Sequence, residues 1–245
     1  MAGAIYPYFE EMNSRMIFES TVQILGPFPS FPQTAVREET SQARVPIAEA
    51  LKTSGPIHRA FIEALPDEWR NDPEVTIFSR TLWLKEGWYP LTPHYHFDWG
   101  AGIDGPKVET LMCLLGDMSR TEFVLGSLEH PEVQAERGSM GGGGMNRWEA
   151  QVEAGLSSGK LKTWEIEPEK LILFDNRTLH RARPARKTGW RLLVRAIRGK
   201  TKEGGYDTPR SFSTCRNGFV PETAEERLRY EPYSDRGAPQ MSRAK

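Results

Sequence analysis

From Val75 onward the chain breaks into short segments rich in β-branched and aromatic residues, divided by Gly, Pro and Asp. That texture is the signature of a sandwich or barrel of short strands. Strands are expected near Glu74 to Leu84, Thr92 to Asp98, Glu109 to Leu115, Thr121 to Val124, Leu161 to Ile166, Lys170 to Phe174 and Trp190 to Ile197. Seven or eight strands after a helical preface suggest a mainly β fold, a jelly-roll-like double-stranded β-helix with N-terminal helices packed on it.

The preface reads as helix from about Pro46 to Trp69, interrupted near Gly55 and Pro56. Within it Ile57, Ala60, Phe61, Ala64 and Leu65 recur at helical spacing, which makes an apolar face to bury against a sheet. Before it, the prolines between Gly26 and Pro32 cannot sit inside a helix or a central strand, so an ordered arm packed through Phe28 and Phe31 is expected. After Gly199 the composition turns polar and charged, with few aliphatics. The 245 residues thus divide into a single domain over 1–200, with its β core at about 74–198 and an arm and helices over 1–73, and a polar extension over 201–245. The glycine run from Gly138 to Met145, with Gly141 to Gly144 at its centre, reads as a loop, either a plain linker or a lid over the barrel mouth.

A formal net charge of −1 argues against a surface dedicated to nucleic acid, which needs a broad excess of Lys and Arg. The longest apolar runs, such as Leu171-Ile-Leu-Phe174, are far too short to cross a bilayer. The opening residues lack the basic and apolar regions of a signal peptide, and the expectation is a cytoplasmic protein. Cys113 and Cys215 have no CxxC partner, so two reduced thiols are expected. One local imbalance stands out: from Arg177 to Lys200 the chain carries nine Lys and Arg residues and no acid. It reads as a solvated basic face, or as a hint that the substrate carries an anionic group.

The segment from Thr92 to Trp99 places His94, His96 and Asp98 at alternate positions, which share one face of an extended strand. His–x–Asp lets an imidazole nitrogen and a carboxylate oxygen take adjacent corners of one ion, provided another part of the fold brings a third ligand. His58, His130 and His180 are the remaining histidines. His180 is the best placed, since it follows the strand at Leu171 to Phe174 and a tight turn at Asp175. Two histidines and one carboxylate occupy one face of an octahedron and leave three positions open, as iron oxygen-activating enzymes require. Eleven residues later Arg191 lies on a strand with Arg195 on the same face. An inward arginine is expensive to bury unless an anion pairs with it, and its fork suits a carboxylate.

These pieces, His96-Phe-Asp98, the segment from Leu173 to His180, and Arg191 after it, resemble the Fe(II)/2-oxoglutarate-dependent dioxygenase superfamily, in particular its taurine-dioxygenase-like and phytanoyl-CoA-hydroxylase-like branches. The resemblance covers roughly Thr76 to Arg198. It implies that His96, Asp98 and His180 hold Fe(II), that Arg191 binds the distal carboxylate of 2-oxoglutarate with help from Thr121, and that O2 is the second co-substrate. It implies hydroxylation of an unactivated C–H bond in a small molecule, amino acid or peptide, with release of succinate and CO2; desaturation and cyclisation share the scaffold. Halogenases of this type lack the ligating carboxylate, so Asp98 speaks against halogenation. Arg195 corresponds to a substrate-anion arginine in the taurine branch. The stretch Phe123 to Leu128 departs from the phytanoyl-type Pro-Gly-Ser-His turn at Leu125 and Leu128.

Several residues near these motifs carry bland readings beside the functional ones. His94 and Trp99 are candidate substrate contacts or plain packing, Asn176 a residue that fixes its own turn, and His58 and His130 structural or exposed groups. Two rival functions remain open on the sequence: a cupin-type metalloenzyme using His94, His96 and His180, and a ligand-binding β-barrel with no catalytic activity.

Overall fold

The computed structural model describes residues 17–90, 95–98, 107–129 and 145–199. The chain enters as two short strands, β1 (Ile17–Ser20) and β2 (Gln23–Pro27), where the sequence suggests only an arm. Phe28 is buried just after β2 and Phe31 packs against the same cluster, as the arm reading expects. A short helix α1 (Gln33–Glu38) and strand β3 (Ala43–Pro46) follow. The expected helical preface forms three pieces, α2 (Ile47–Thr53), α3 (Pro56–Glu63) and α4 (Asp67–Arg70). Gly55 and Pro56 divide the first two, with Pro56 in the opening turn of α3, where its missing N–H is not needed.

The remaining elements are β4 (Thr76–Leu84), β5 (Glu109–Leu115), β6 (Thr121–Glu129), α5 (Met145–Ser157), β7 (Lys162–Glu165), β8 (Lys170–Asp175), β9 (His180–Ala182) and β10 (Gly189–Arg198). They build two antiparallel sheets. The larger has the order β2-β8-β5-β10-β4-β3; in the smaller, β6 lies between β1 and β7 and also pairs with β9. Strand β6 continues past Val124 to Glu129 because β1 extends its ladder there, through pairs from Ser20 with Gly126 to Ile17 with Glu129. The strand expected over Thr92 to Asp98 is not a ladder strand in its described part. Only His96 pairs, in an isolated bridge, and Asp98 is already in a 3-10 turn. That bend turns Asp98 out of strict strand alternation. His94, Trp99, His130, Cys215, the glycines from Gly141 to Gly144 and the extension over 201–245 lie outside the described residues.

Alternation sorts the larger sheet into two faces. Leu111, Cys113 and Leu115 of β5, Leu171 of β8, and Trp190, Leu192, Val194 and Ala196 of β10 meet Ile57, Phe61 and Trp69 of the helical layer in one apolar cluster. The intervening residues point the other way. Met112 and Leu114, Ile172 and Phe174, and Leu193 form a second cluster with Phe123 of β6 and with Ile166, which joins the two sheets. Gly116 ends β5 with a φ of 81°, and a Cβ there would strike the Trp190 carbonyl, so this turn needs glycine. No helix among the described residues is long and apolar enough to cross a membrane.

The helical layer is pinned to the sheet by a sealed polar cluster. Glu39 accepts the N–H groups of Gly55 and Ile57 at 2.7 and 2.8 Å, capping α3. Its Oε1 also takes His58 Nδ1 at 2.6 Å, and His58 Nε2 meets the hydroxyl of Ser79 on β4 at 2.7 Å. Ser79 Oγ in turn accepts the Gln42 N–H. The order Glu–His–Ser is that of a hydrolytic relay, but His58 and Ser79 are 0% exposed and Glu39 is 1% exposed, so no substrate reaches the hydroxyl and the cluster is structural. Burial alone would raise the Glu39 pKa, but His58 and the two backbone N–H groups outweigh it and hold the carboxyl below its ordinary value. A depressed folded value means that the stabilisation is complete above the unfolded carboxylate range and is lost as pH falls through the folded value. Glu39→Ala is expected to destabilise the fold by roughly 3 kcal/mol at pH 7 in urea titrations. The gap between variant and wild type should narrow on acidification below about pH 4; a gap independent of pH would remove the ionised carboxylate from the account.

Candidate metal centre

The turn between β8 and β9 is built from local hydrogen bonds. Asp175 accepts the Arg177 N–H on its side chain at 2.9 Å and the Thr178 N–H on its carbonyl at 3.0 Å. Asn176 exchanges bonds with Val108, giving its N–H to Val108 O at 2.9 Å and accepting the Val108 N–H on Oδ1 at 3.0 Å. The turn is thereby tied to the head of β5. Thr178 and Leu179 are fastened to the end of β1 through Thr21 O and Ser20 Oγ. The chain emerges into β9 with His180 opposite Phe123 of β6.

On its other side His180 exchanges two backbone hydrogen bonds with His96, at 2.9 and 3.1 Å. Residues directly opposed in an antiparallel bridge present their side chains on the same side. The two imidazole rings accordingly stand 4.6 Å apart between centroids. Asp98, two residues beyond His96, bends its carboxylate back so that Oδ2 lies 3.6 Å from His180 Nε2. One donor atom each from His96, Asp98 and His180 lies within 4.8 Å of the others, and the group could hold a metal ion. Ligands of a first-row metal stand about 2.1 Å from the ion, so modest side-chain rotation closes this set around one centre.

The hydrogen bonding of His180 fits that use. Its Nδ1 lies 2.9 Å from the Thr178 carbonyl, which can only accept, so Nδ1 donates there. Nε2 is buried and has no hydrogen-bond partner among the described residues. An unmet buried polar group costs about 1–3 kcal/mol, a cost that a bound cation would remove. An imidazole that donates its other N–H to a backbone carbonyl is also the usual state of a metal ligand. Phe123 and Phe174 flank the His180 ring at 5.5 and 5.7 Å, giving one side of the site an apolar wall.

Two arginines of β10 reach this region from the inner face of the sheet. Arg195, 5% exposed, donates from Nη1 to Asp98 Oδ2 at 2.5 Å, while its buried Nε has no hydrogen-bond partner among the described residues. Burial alone would raise the Asp98 pKa, but Arg195, His180 and His96 outweigh it and hold the carboxyl far below the usual range. Asp98 is therefore an anion at neutral pH, as a metal ligand must be. Arg191, four residues earlier and on the same face, is 3% exposed. It donates from Nε to Ser119 O at 2.9 Å and from Nη2 to Thr121 Oγ1 at 3.4 Å. The structure therefore joins Arg191 to Thr121 and Arg195 to Asp98; His94 and Trp99 are outside the described residues.

The run of basic residues is not a free cationic face. Arg181 pairs with Glu122 and Glu149, Arg183 with Glu122 and Glu165, Arg186 with Glu165, Lys187 with Asp117, and Arg198 with Glu109. Neighbouring strands and α5 supply the acids that the local sequence lacks. The direct contact of Arg195 with Asp98, the Thr178 carbonyl behind His180 and the Phe123 and Phe174 wall were not singled out by sequence. Of these, only the even spacing of Ile172, Phe174 and the inward partners of β8 carried a signal.

Titration with Co(II) or, without oxygen, Fe(II) is expected to show one strong site in the wild type. Metal at a hundredfold its Kd should stabilise the fold by about 2.7 kcal/mol, read as a rise in Tm, and His180→Ala should lose both the binding and the rise. No known family model matches the chain, and no curated protein sequence is significantly similar to it.

Proposed function

We infer that the chain is an Fe(II)- and 2-oxoglutarate-dependent oxygenase on a double-stranded β-helix, hydroxylating an unactivated C–H bond of a small molecule, amino acid or peptide. The observation that carries this reading is the meeting of two histidines and one carboxylate beside a strand whose inner face presents two buried arginines. A facial set of His96, Asp98 and His180 suits iron better than zinc, which ordinarily takes a closed tetrahedron or leaves a single open position.

Iron, 2-oxoglutarate and O2 together would supply the oxidising chemistry, with succinate and CO2 as co-products. The chain's own part is positional. His96, Asp98 and His180 hold the metal, with the tautomer of His180 set by the Thr178 carbonyl. Arg191 receives the distal carboxylate of the keto acid through a charge-assisted hydrogen bond, with the Thr121 hydroxyl beside it. Phe123 and Phe174 exclude water from the ligand side of the centre. The unpartnered Nε of Arg195 offers a donor to a substrate with an anionic group.

Purified protein supplied with Fe(II), ascorbate, O2 and 2-oxoglutarate is expected to form succinate, detected by mass spectrometry; a cupin or a binding barrel would form none. Arg191→Ala should raise the 2-oxoglutarate requirement roughly tenfold or more while metal still binds. Asp98→Ala should lose metal retention and turnover together. Equal metal loss in both variants would contradict the separate roles assigned to the two residues.

A further inference from the structure

The residues next to the two histidines are fastened to each other by a second, metal-free cluster. Tyr95 precedes His96, and Arg181 follows His180. On β9 the Arg181 side chain lies on the face opposite His180, so it points away from the metal. Its Nε donates to Glu122 Oε1 at 2.7 Å, and the Tyr95 hydroxyl donates to the same oxygen, also at 2.7 Å. The guanidinium sits over the Tyr95 ring, 4.2 Å from its centroid.

A second carboxylate repeats this bridge from α5. Glu149 accepts the Tyr95 N–H on Oε1 at 3.3 Å and the Arg181 Nη1 on Oε2 at 3.4 Å. One turn face of the same helix sets Trp148 edge-on to Phe97 at 4.9 Å, and Phe97 lies between His96 and Asp98. The described segment from 95 to 98 is thus held on one side by its bridge to His180 and on the other by α5. Tyr95 is 2% exposed and Glu122 7% exposed, so these bonds are little weakened by water.

We propose that Arg181, Tyr95, Glu122 and Glu149 form a clamp outside the coordination sphere, which sets the approach of His96 to His180 and couples metal affinity to the docking of α5. The clamp rests on the metal reading of His96, Asp98 and His180. None of its four members touches the ion. They are positioning residues that act through the backbone of their neighbours. If a docked α5 favours the metal-ready separation of the imidazoles, bound metal must favour a docked α5 by the same factor.

The variant that tests this is Glu149→Gln, which keeps the size of a half-buried side chain and removes its charge. Tyr95→Phe, which deletes only the hydroxyl on Glu122, serves as a second and milder probe. Co(II) affinity is measured by competition with a chelator, Co(II) coordination by its visible absorption, α5 protection by hydrogen exchange with and without Co(II), and metal-free stability by urea titration. In the wild type Co(II) is expected to slow exchange across α5. In Glu149→Gln the Co(II) Kd should rise about tenfold, the visible bands should shift, and the metal-induced protection of α5 should shrink; Tyr95→Phe should move the same readouts by less. A purely structural role would lower metal-free stability while leaving Kd, spectrum and metal-induced protection as in the wild type, and that result overturns the clamp. Failure of the wild type itself to bind Co(II) overturns the metal reading and the clamp with it, whereas wild-type binding with unaltered variants overturns the clamp alone.

Discussion

Two backbone hydrogen bonds between His96 and His180 decide the geometry of the whole site. They join segments that are far apart in the chain and that, among the described residues, pair only at that bridge. A bridge of this kind carries no side-chain specificity of its own. It is held in register by what surrounds it: β9 laid against β6, the turn at Asp175 tied to the end of β1 and the head of β5, and α5 pressing on the far side of residues 95–98. The ligand set is thus a product of several weak local decisions converging, each worth on the order of 1 kcal/mol, and none of them made by the ligands themselves.

The charges inside the fold follow a consistent arrangement. Arg195 would be costly to bury alone, and so would Asp98; facing each other they offset part of that cost, while His180 Nε2 and Arg195 Nε have no hydrogen-bond partner among the described residues. Arg191, on the same strand face, has the Ser119 carbonyl and the Thr121 hydroxyl among its partners.

Much of the larger sheet was legible in the sequence because β5 and β10 are buried on both faces, and they, β4 and β8 show runs of apolar residues between breakers. Strands β1 and β2 were not, since they lie at sheet edges and β2 is almost wholly exposed, so no inward periodicity marks them. Helix α5 follows a glycine run that drew the eye to a loop, and nothing in its own composition caps it clearly. At the site, the grouping of His96 and Asp98 with His180 could be read from spacing, though Asp98 reaches it through a bend and not by strand parity. The partners of the arginines could not, because they come from strands adjacent in space: Glu122 and Glu165 answer the basic run from β6 and β7, and Asp98 answers Arg195 from beyond the bend. The bond of Asn176 Oδ1 to the Val108 N–H was hidden for the same reason, since Val108 is distant in the chain.

The two-sidedness of β10 has an evolutionary corollary. Its even residues, from Trp190 to Ala196, belong to the helical layer, while Arg191 and Arg195 belong to the interior between the sheets. Deleting or inserting a single residue near Gly189 would exchange these sets entirely, driving both guanidiniums into an apolar cluster and turning Trp190 toward the interior between the sheets. Point substitution can tune this strand, but length variation cannot, so descendants of such a chain are confined to lengthening or shortening elsewhere.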